Sequence, residues 1–570
     1  MATLFGDTSG TLSGHQKGKH QTLVGTDNED NVLYGDAFAM VDKAKGGNDV
    51  LIGGNAHAVF VNYLVGDAET LSNSVKGGND ILIGGSTTDT GDSDEPVNVL
   101  LGDAGEMTDS AKGGNDILIG GSATDGRVVN ALVGDAVLMT DTTKGGNDII
   151  AGGSNTGEFG VVSNFVHGDA EQMSGSSKGG NDIITGGKGS GGASVFNQLI
   201  GDARLMLESA KGGNDILVGG SGGATNEVYG DAELITQRAK PGTDIVIGGS
   251  ITGPDSGNVS NTMFGDAGEM FGSVKGGDDQ VIGGSASNAT LNKFEEIVSE
   301  NIIQGLFGDA QLMFGSTTGG KDTVIGGSVV GSGIVSNGAV GDAALLTDSA
   351  KGGDDVMTGG SAVNAELVTD IFNPSRNDFF DNVRNSLLGD ATEMNASAEG
   401  GNDRLTGGSV TGSGTVKNFL TGDAAQLTDS AKGGNDTLTG GNGIGNGSVE
   451  NFLYGDAQLN SSIARGGDDR LVSGRNATDH MYGDWEFNLG SATGGRDKFV
   501  FAGAFGNDFV YDFHQAERDR LVFDVKEVHR MGDLDIAVVG GDTVITTSPG
   551  NSVTLVGFTG SLTATDILFG

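Results

Sequence analysis

Along most of this 570-residue chain, single apolar residues alternate with polar ones in very short runs, and each run stops at a glycine. One kind of run reads Asn-x-Leu-x-Gly-Asp-Ala, as in Asn98 to Ala104. The other reads Asp-x-Leu-x-Gly-Gly-Ser, as in Asp116 to Ser122. Alternation over so few residues predicts strands of three to four residues with one inward face. The two runs take turns fourteen times between residues 31 and 498. A unit this small cannot bury its apolar face alone and does so by stacking on its neighbours. The prediction is therefore all-β: a parallel β-roll or β-solenoid of about fourteen coils, two strands to a coil, over residues 31–498. Leu51, Leu82, Leu118 and Ile150 form one of its core ladders. Residues 1–30, with Leu4-Phe5-Gly6-Asp7 as a degenerate half-repeat, read as an N-terminal cap. Residues 499–570 read as a C-terminal capping β module.

The spacing is unequal on the two sides of a repeat. From the Gly-Asp-Ala aspartate to the aspartate that closes Lys-Gly-Gly-Asn-Asp is thirteen residues in every copy. The pairs are Asp36/Asp49, Asp67/Asp80, Asp103/Asp116, Asp135/Asp148, Asp169/Asp182, Asp202/Asp215 and Asp231/Asp244. They continue as Asp266/Asp279, Asp309/Asp322, Asp342/Asp355, Asp390/Asp403, Asp423/Asp436, Asp456/Asp469 and Asp484/Asp497. The return distance varies, from 15 (Asp469 to Asp484) to 35 (Asp355 to Asp390). A constrained, acidic, glycine-rich side is what a metal site needs. A hard cation such as Ca²⁺ takes six to eight oxygens, mixing carboxylates with main-chain carbonyls, and Gly-Gly-Asn-Asp offers both. Mg²⁺ demands a stricter octahedron and keeps its waters. Zn²⁺ suits the repeats poorly, since the chain has no cysteine and its seven histidines are scattered. All twenty-eight aspartates are thus candidate ligands. For the Gly-Asp-Ala aspartates, a turn-capping or loop-bracing hydrogen bond is the competing role.

Three further ladders are visible. Four residues after the first aspartate stands an apolar residue: Met40, Leu71, Met107, Met139, Met173, Met206, Ile235, Met270, Met313, Leu346, Met394 and Leu427, with Asn460 and Asn488 breaking the series. It reads as packing, because thioether sulfur suits soft ions. Five residues before the first aspartate stands asparagine in most repeats (Asn31, Asn62, Asn98, Asn130), with Gln304 and Asp479 as exceptions. A neutral amide there predicts a stacked amide ladder. Lysines ahead of the Gly-Gly turns (Lys76, Lys112, Lys144) read as solvated. The longest inserts, Ser285 to Gln304 and Ser361 to Asn385, have apolar spacings that suit a short amphipathic helix each, or else are loops on a tolerant edge.

Composition sharpens this picture. With 32 basic and 76 acidic residues the net charge is −44, which disfavours nucleic acid and anionic membranes as partners. One divalent ion per repeat would supply about 28 positive charges and leave about −16. Glycine is abundant (106) and proline scarce (5), as tight turns between short strands require. No run approaches the ~18 apolar residues of a membrane-spanning helix. Met1 to Gln21 has no apolar core of a secretory signal peptide.

The segments Gly46 to Gly54 and Gly113 to Gly121 resemble the repeats-in-toxin (RTX) family, whose nonapeptide Gly-Gly-x-Gly-x-Asp-x-apolar-x forms a Ca²⁺-binding parallel β-roll. The chain departs from the family in having one such turn per coil, opposed by Gly-Asp-Ala. Asp497-Lys498-Phe499-Val500-Phe501, Asp512-Phe513 and Asp519 to Phe523 look like the family's closing module, and the tail from Asp542 to Gly570 like an uncleaved type I secretion signal. The resemblance implies export by type I secretion machinery and folding on Ca²⁺ outside the cell, where such sites have Kd values of about 10⁻⁴–10⁻³ M. The array begins near residue 31, and neither His-Glu-x-x-His nor a supported Gly-x-Ser-x-Gly occurs, so no enzyme is expected. The leading expectation is a secreted calcium-binding structural protein of the cell surface, matrix or biofilm, with self-association or cell-surface polysaccharide as possible partners. An adhesin acting through the two inserts, and a polysaccharide-acting enzyme on the solenoid face, are the alternatives.

Overall fold

The computed structural model describes all residues except 1, 56–59, 89–95, 191–192, 254–256, 290–292, 295–296, 299, 367, 370–378 and 549. The chain divides into two compact units, Met1–Val281 and Ile282–Gly570, a division that falls inside the repeat array. Both are built almost wholly of short parallel strands. The one helical turn among the described residues is the 3₁₀ segment Met531–Asp533, so no helix there is long and apolar enough to cross a membrane.

The first unit shows the plan. A coil runs through Val97–Leu101, turns at Gly102-Asp103, runs through Ala104–Met107, turns again, and ends with Ile117–Ile119. The next coil repeats this in register: Asn98 opposite Asn130, Ala104 opposite Ala136, Leu118 opposite Ile150. Each coil therefore has three strands and contributes to three parallel sheets, one more than the alternation predicts. The extra strand is the one that carries the methionine ladder. Its ends are buried and its middle is not (Ala104 and Met107 at 0 % exposure, Gly105 and Glu106 outside), so it does not alternate. The turn after it needs a left-handed residue, supplied by Asp42, Asp109 or Asp141 (φ 63°, 63° and 57°) and elsewhere by Asn73 or Gly175. The lysines that follow bridge in parallel from coil to coil through their main chain (Lys76 to Lys112 to Lys144) while their side chains lie outside. The core is three thin ladders: Leu100/Leu132, Met107/Met139 and Leu118/Ile150, all fully buried. Residues ahead of Asn31 form a full coil, with Ala2–Phe5, Thr8–Leu12 and Thr22–Val24 pairing with Asn31–Tyr34, Ala37–Met40 and Val50–Ile52.

The second unit follows the same plan. Val383–Leu388, Ala391–Met394 and Arg404–Thr406 pair with Thr415–Thr421, Ala424–Leu427 and Thr437–Thr439. It adds a fourth narrow parallel sheet from Ala286–Ser287, Val329–Val330, Ala362–Val363, Val410–Gly412 and Gly443–Gly445. The first insert holds an antiparallel strand pair, Lys293–Phe294 with Ile297–Val298, rather than either the short helix or the plain loop weighed from the sequence, and Ile302 and Ile303 belong to the strand Ile302–Phe307. In the second insert Val368–Thr369 pairs with Phe379–Phe380 and Val383 opens the strand Val383–Leu388, so the helix weighed for these residues is absent; 370–378 lie outside the described residues. The C-terminal module continues two sheets and drops the third. Lys498–Ala502, Arg520–Asp524 and Ile567–Phe569 pair in parallel, and Asp535–Val539, Asp542–Ser548 and Asn551–Leu555 form an antiparallel meander. Phe499, Phe501, Phe505 and Phe523 fill this end with a larger core than any coil has.

Candidate metal centre: two buried carboxylate ladders

All twenty-eight predicted aspartates lie inside the coils, none more than 3 % exposed. They form two ladders, one per turn, and each has a distinct main-chain task.

The Gly-Asp-Ala aspartates brace their own coil. Asp103 accepts the N–H of Gly114, eleven residues on, at 2.9 Å, and the same bond recurs from Asp36–Gly47 (2.7 Å) to Asp484–Gly495 (2.8 Å). This is the loop-bracing role weighed from the sequence, and it explains the fixed spacing. An insertion between the two turns would move the second glycine of Lys-Gly-Gly off its carboxylate. The second aspartates tie coil to coil. Asp116 Oδ1 accepts the N–H of Asp80 in the preceding coil (2.6 Å), and Asp148 that of Asp116 (2.7 Å).

The brace reaches both oxygens of Asp67, Asp103, Asp266 and Asp309; elsewhere one oxygen serves. The other accepts no hydrogen bond in Asp49, Asp80, Asp116, Asp148, Asp182, Asp215, Asp244, Asp355, Asp403, Asp436, Asp469 and Asp497. The same holds in the first ladder for Asp36, Asp135, Asp169, Asp202, Asp231, Asp342, Asp390, Asp423 and Asp456. Asp266, Asp279, Asp309 and Asp322 aside, none of the twenty-eight is ion-paired with a described lysine or arginine; such pairs lie at the surface, as with Arg496–Asp468. Carboxylates of the first ladder stand within hydrogen-bonding reach of one another, Asp36 of Asp67 and Asp135 of Asp169. Two acceptors facing each other need a proton or a cation between them. Burial pushes these groups up: Asp36 to about 6, Asp423 to about 7, and Asp49, with Asp36 beside it, to about 8. Asp497 is pushed up to about 11 by burial and then by Asp469 and Asp484.

The amide ladder at the other entry to the coil supplies the contrast. Asn130 Oδ1 accepts from Gly121 N (2.8 Å) and from Asn98 Nδ2 (2.9 Å), while its Nδ2 donates to Gly121 O and to Asn164 Oδ1. Every polar atom is satisfied, because an amide carries donor and acceptor together. An aspartate in the same kind of ladder has acceptors only.

Glycines keep the space around the orphaned oxygens open. A Cβ on Gly102 would lie 2.4 Å from Asp116 Oδ2, and one on Gly145 would lie 2.4 Å from Asp135 Oδ2. The donor set, carboxylate oxygens with glycine main chain beside them and neither nitrogen nor sulfur ligands, fits a hard divalent cation. Along the ladders the carboxylates meet in pairs rather than in threes among the described residues. A bound ion would complete its shell with carbonyls and water.

Fold and site together define a class: a parallel β-solenoid whose coils are closed on one side by amides and on the other by buried acids. No protein-family model matches the chain, and no curated protein matches it. The likeness to the RTX nonapeptide therefore rests on the motif itself.

Proposed function

We propose that this is a secreted calcium-binding repeat protein that folds when its aspartate ladders take up Ca²⁺ outside the cell, and that serves a structural role in matrix, cell surface or biofilm. The observation that carries this reading is the row of buried carboxylate oxygens with no donor to meet them. Unpaired buried charge costs several kcal/mol per group, and a divalent ion shared between coils removes that cost while cross-linking the stack. Far-UV circular dichroism of the full chain, titrated with Ca²⁺ against a Mg²⁺ control and paired with calorimetric ion counting, tests it. A cooperative, Ca²⁺-specific gain of β-structure with about one ion or more per coil supports the reading; β-structure indifferent to chelator sinks it.

One groove favours a second reading, saccharide binding. Tyr34, Phe38, Tyr63, Asp30 and Glu69 line a cavity of about 520 Å³ on the first unit. Both tyrosine hydroxyls donate to Glu69 (3.0 and 3.1 Å), holding a carboxylate among aromatic rings. Isothermal titration with neutral oligosaccharides against Tyr63→Ala tests it, and equal heats from both proteins reject it.

A further inference from the structure

Where the repeats end, the first aspartate ladder meets different partners. In earlier coils the N–H groups of the aspartate and of the following alanine both donate to the next aspartate's carbonyl, as Asp103 and Ala104 do to Asp135 (3.0 Å each). Beyond Asp484 no further Gly-Asp-Ala follows. Instead Gly483 and Asp484 donate their N–H groups to the Asp512 carboxylate (2.7 and 2.9 Å). The chain after Asp512 then folds into a tight turn. His514 donates its N–H to Asp519 Oδ2 (2.7 Å), and Glu517 and Asp519 donate theirs to the His514 carbonyl (3.2 and 3.3 Å).

That turn sets His514 and Glu517 on the same side, three residues apart, over the end of the ladder. His514 Nδ1 and Glu517 Oε2 are 2.9 Å apart. One ligand atom each from Asp484, His514 and Glu517 lie within 4.8 Å of one another, the one place among the described residues where three such groups converge. One observation at the site points to a missing ligand. The Glu517 Oε2 atom is buried and meets only the His514 imidazole, 2.9 Å away, so it is satisfied only when Nδ1 carries the proton.

We propose that Asp484, His514 and Glu517 hold one divalent first-row transition ion, of the Zn²⁺ or Co²⁺ class, at a site that shares only Asp484 with the repeated carboxylate pairs. Imidazole nitrogen, which the repeats lack, shifts a site's preference away from Ca²⁺ and Mg²⁺ towards these ions. Three protein ligands with the imidazole half-exposed leave room for water in the remaining positions. The ion would tie the turn 514–519 to the last repeat through side chains of both.

The test uses the full chain in saturating Ca²⁺, titrated with Co²⁺ and read by its visible absorption, then displaced with Zn²⁺. One equivalent of Co²⁺ should bind, with Zn²⁺ competing and added Ca²⁺ not. His514→Gln should weaken Co²⁺ binding by on the order of a hundredfold and Glu517→Gln by less, while both keep the wild-type circular dichroism in Ca²⁺. No saturable Co²⁺ site, the same affinity in His514→Gln, or displacement of Co²⁺ by Ca²⁺ overturns the proposal. Loss of the Ca²⁺-induced transition in the wild type, with Co²⁺ binding intact, would instead reject the calcium reading alone.

Discussion

Removing cations should make the fold acid-stable and alkali-labile, the reverse of most proteins whose carboxylates are salt-bridged. The perturbation is chelation followed by a pH titration. Asp49 is 1 % exposed, and its carboxyl rises from 3.8 to about 8 in the fold. A folded pKa above the unfolded one means that the fold holds its proton more tightly. The contribution is thus fully present below the unfolded pKa and is lost as pH rises through the folded one. At pH 7.5 this one group costs the ion-free fold about 5 kcal/mol, against about 1–2 kcal/mol at pH 5. A domain's whole net stability is only about 5–15 kcal/mol. The same arrangement recurs in coil after coil, so the ion-free chain should be largely unfolded at pH 7.5 and regain β-structure near pH 5, short of its isoelectric point near 4.2. Circular dichroism in EGTA reads this directly. Adding Ca²⁺ should restore the neutral-pH signal, with the Ca²⁺ midpoint moving to lower concentration as pH rises, because ions and protons compete for the same oxygens. An EGTA-treated chain with equal β-structure at pH 5 and pH 8 would refute the reasoning, and would mean that the buried acids hold their protons throughout that range.

Three substitutions probe the ladders separately. Asp116→Asn keeps the Oδ1 acceptor for Asp80 N–H but removes the charge; it should raise residual β-structure in EGTA at pH 7.5 and lower the calorimetric Ca²⁺ count by at least one ion, and a variant unchanged in both would show that Asp116 is no ligand. Asn130→Ala deletes four hydrogen bonds and strands both main-chain groups of Gly121; denaturant unfolding in Ca²⁺ should show a loss of about 3–5 kcal/mol, and a loss below about 1 kcal/mol would remove the amide ladder from the account. Gly114→Ala would place its Cβ 1.4 Å from the Gly78 carbonyl oxygen, where nothing flexible can give way, and should cost about 3 kcal/mol or more, whereas Gly10→Ala, with nothing nearer than 3.5 Å, serves as the near-neutral control.

The residues decide how far such a fold can be read from sequence. Leu118 and Asn98 were legible because their strands alternate, and the amide ladder followed from asparagine recurring on the inward face. The third sheet was not. Ala104 and Met107 are both buried at a spacing of three, so a period of two passes over them. The mark of that strand is instead the αL turn two residues beyond Met107, filled at Asp109 and its equivalents mostly by aspartate, asparagine or glycine, with Glu208, Gln237 and Ala396 as exceptions. The aspartate pairs were legible as a set, but not their division of labour, because bracing a turn (Asp103) and tying two coils (Asp116) both call for a carboxylate. His514 and Glu517 carried no repeat to draw attention to them and meet Asp484 only through the fold.

The two sides of the coil differ in spacing because they differ in what closes them. On the amide side the closing bonds run from asparagine or glutamine to the glycine that ends the preceding strand, and they are the same two bonds whatever lies between. Asn226 reaches back six residues to Gly220, Asn62 eight to Gly54, and Asn385 twenty-five to Gly360. Doubling a loop costs only about 0.6 kcal/mol in closure entropy, so a staple that is complete in itself tolerates insertions of any of these lengths. On the acid side the staple is incomplete. Asp135 holds Gly146, Asp116 holds Asp80, and each leaves an oxygen that only a neighbour at fixed separation can help to satisfy. Length variation there would break the brace and misplace the second carboxylate together, which is why one distance survives fourteen times while the other wanders. Dependence on solution conditions is thereby confined to one edge of each coil, and the opposite edge can carry inserts such as 285–304 and 361–385 without disturbing it.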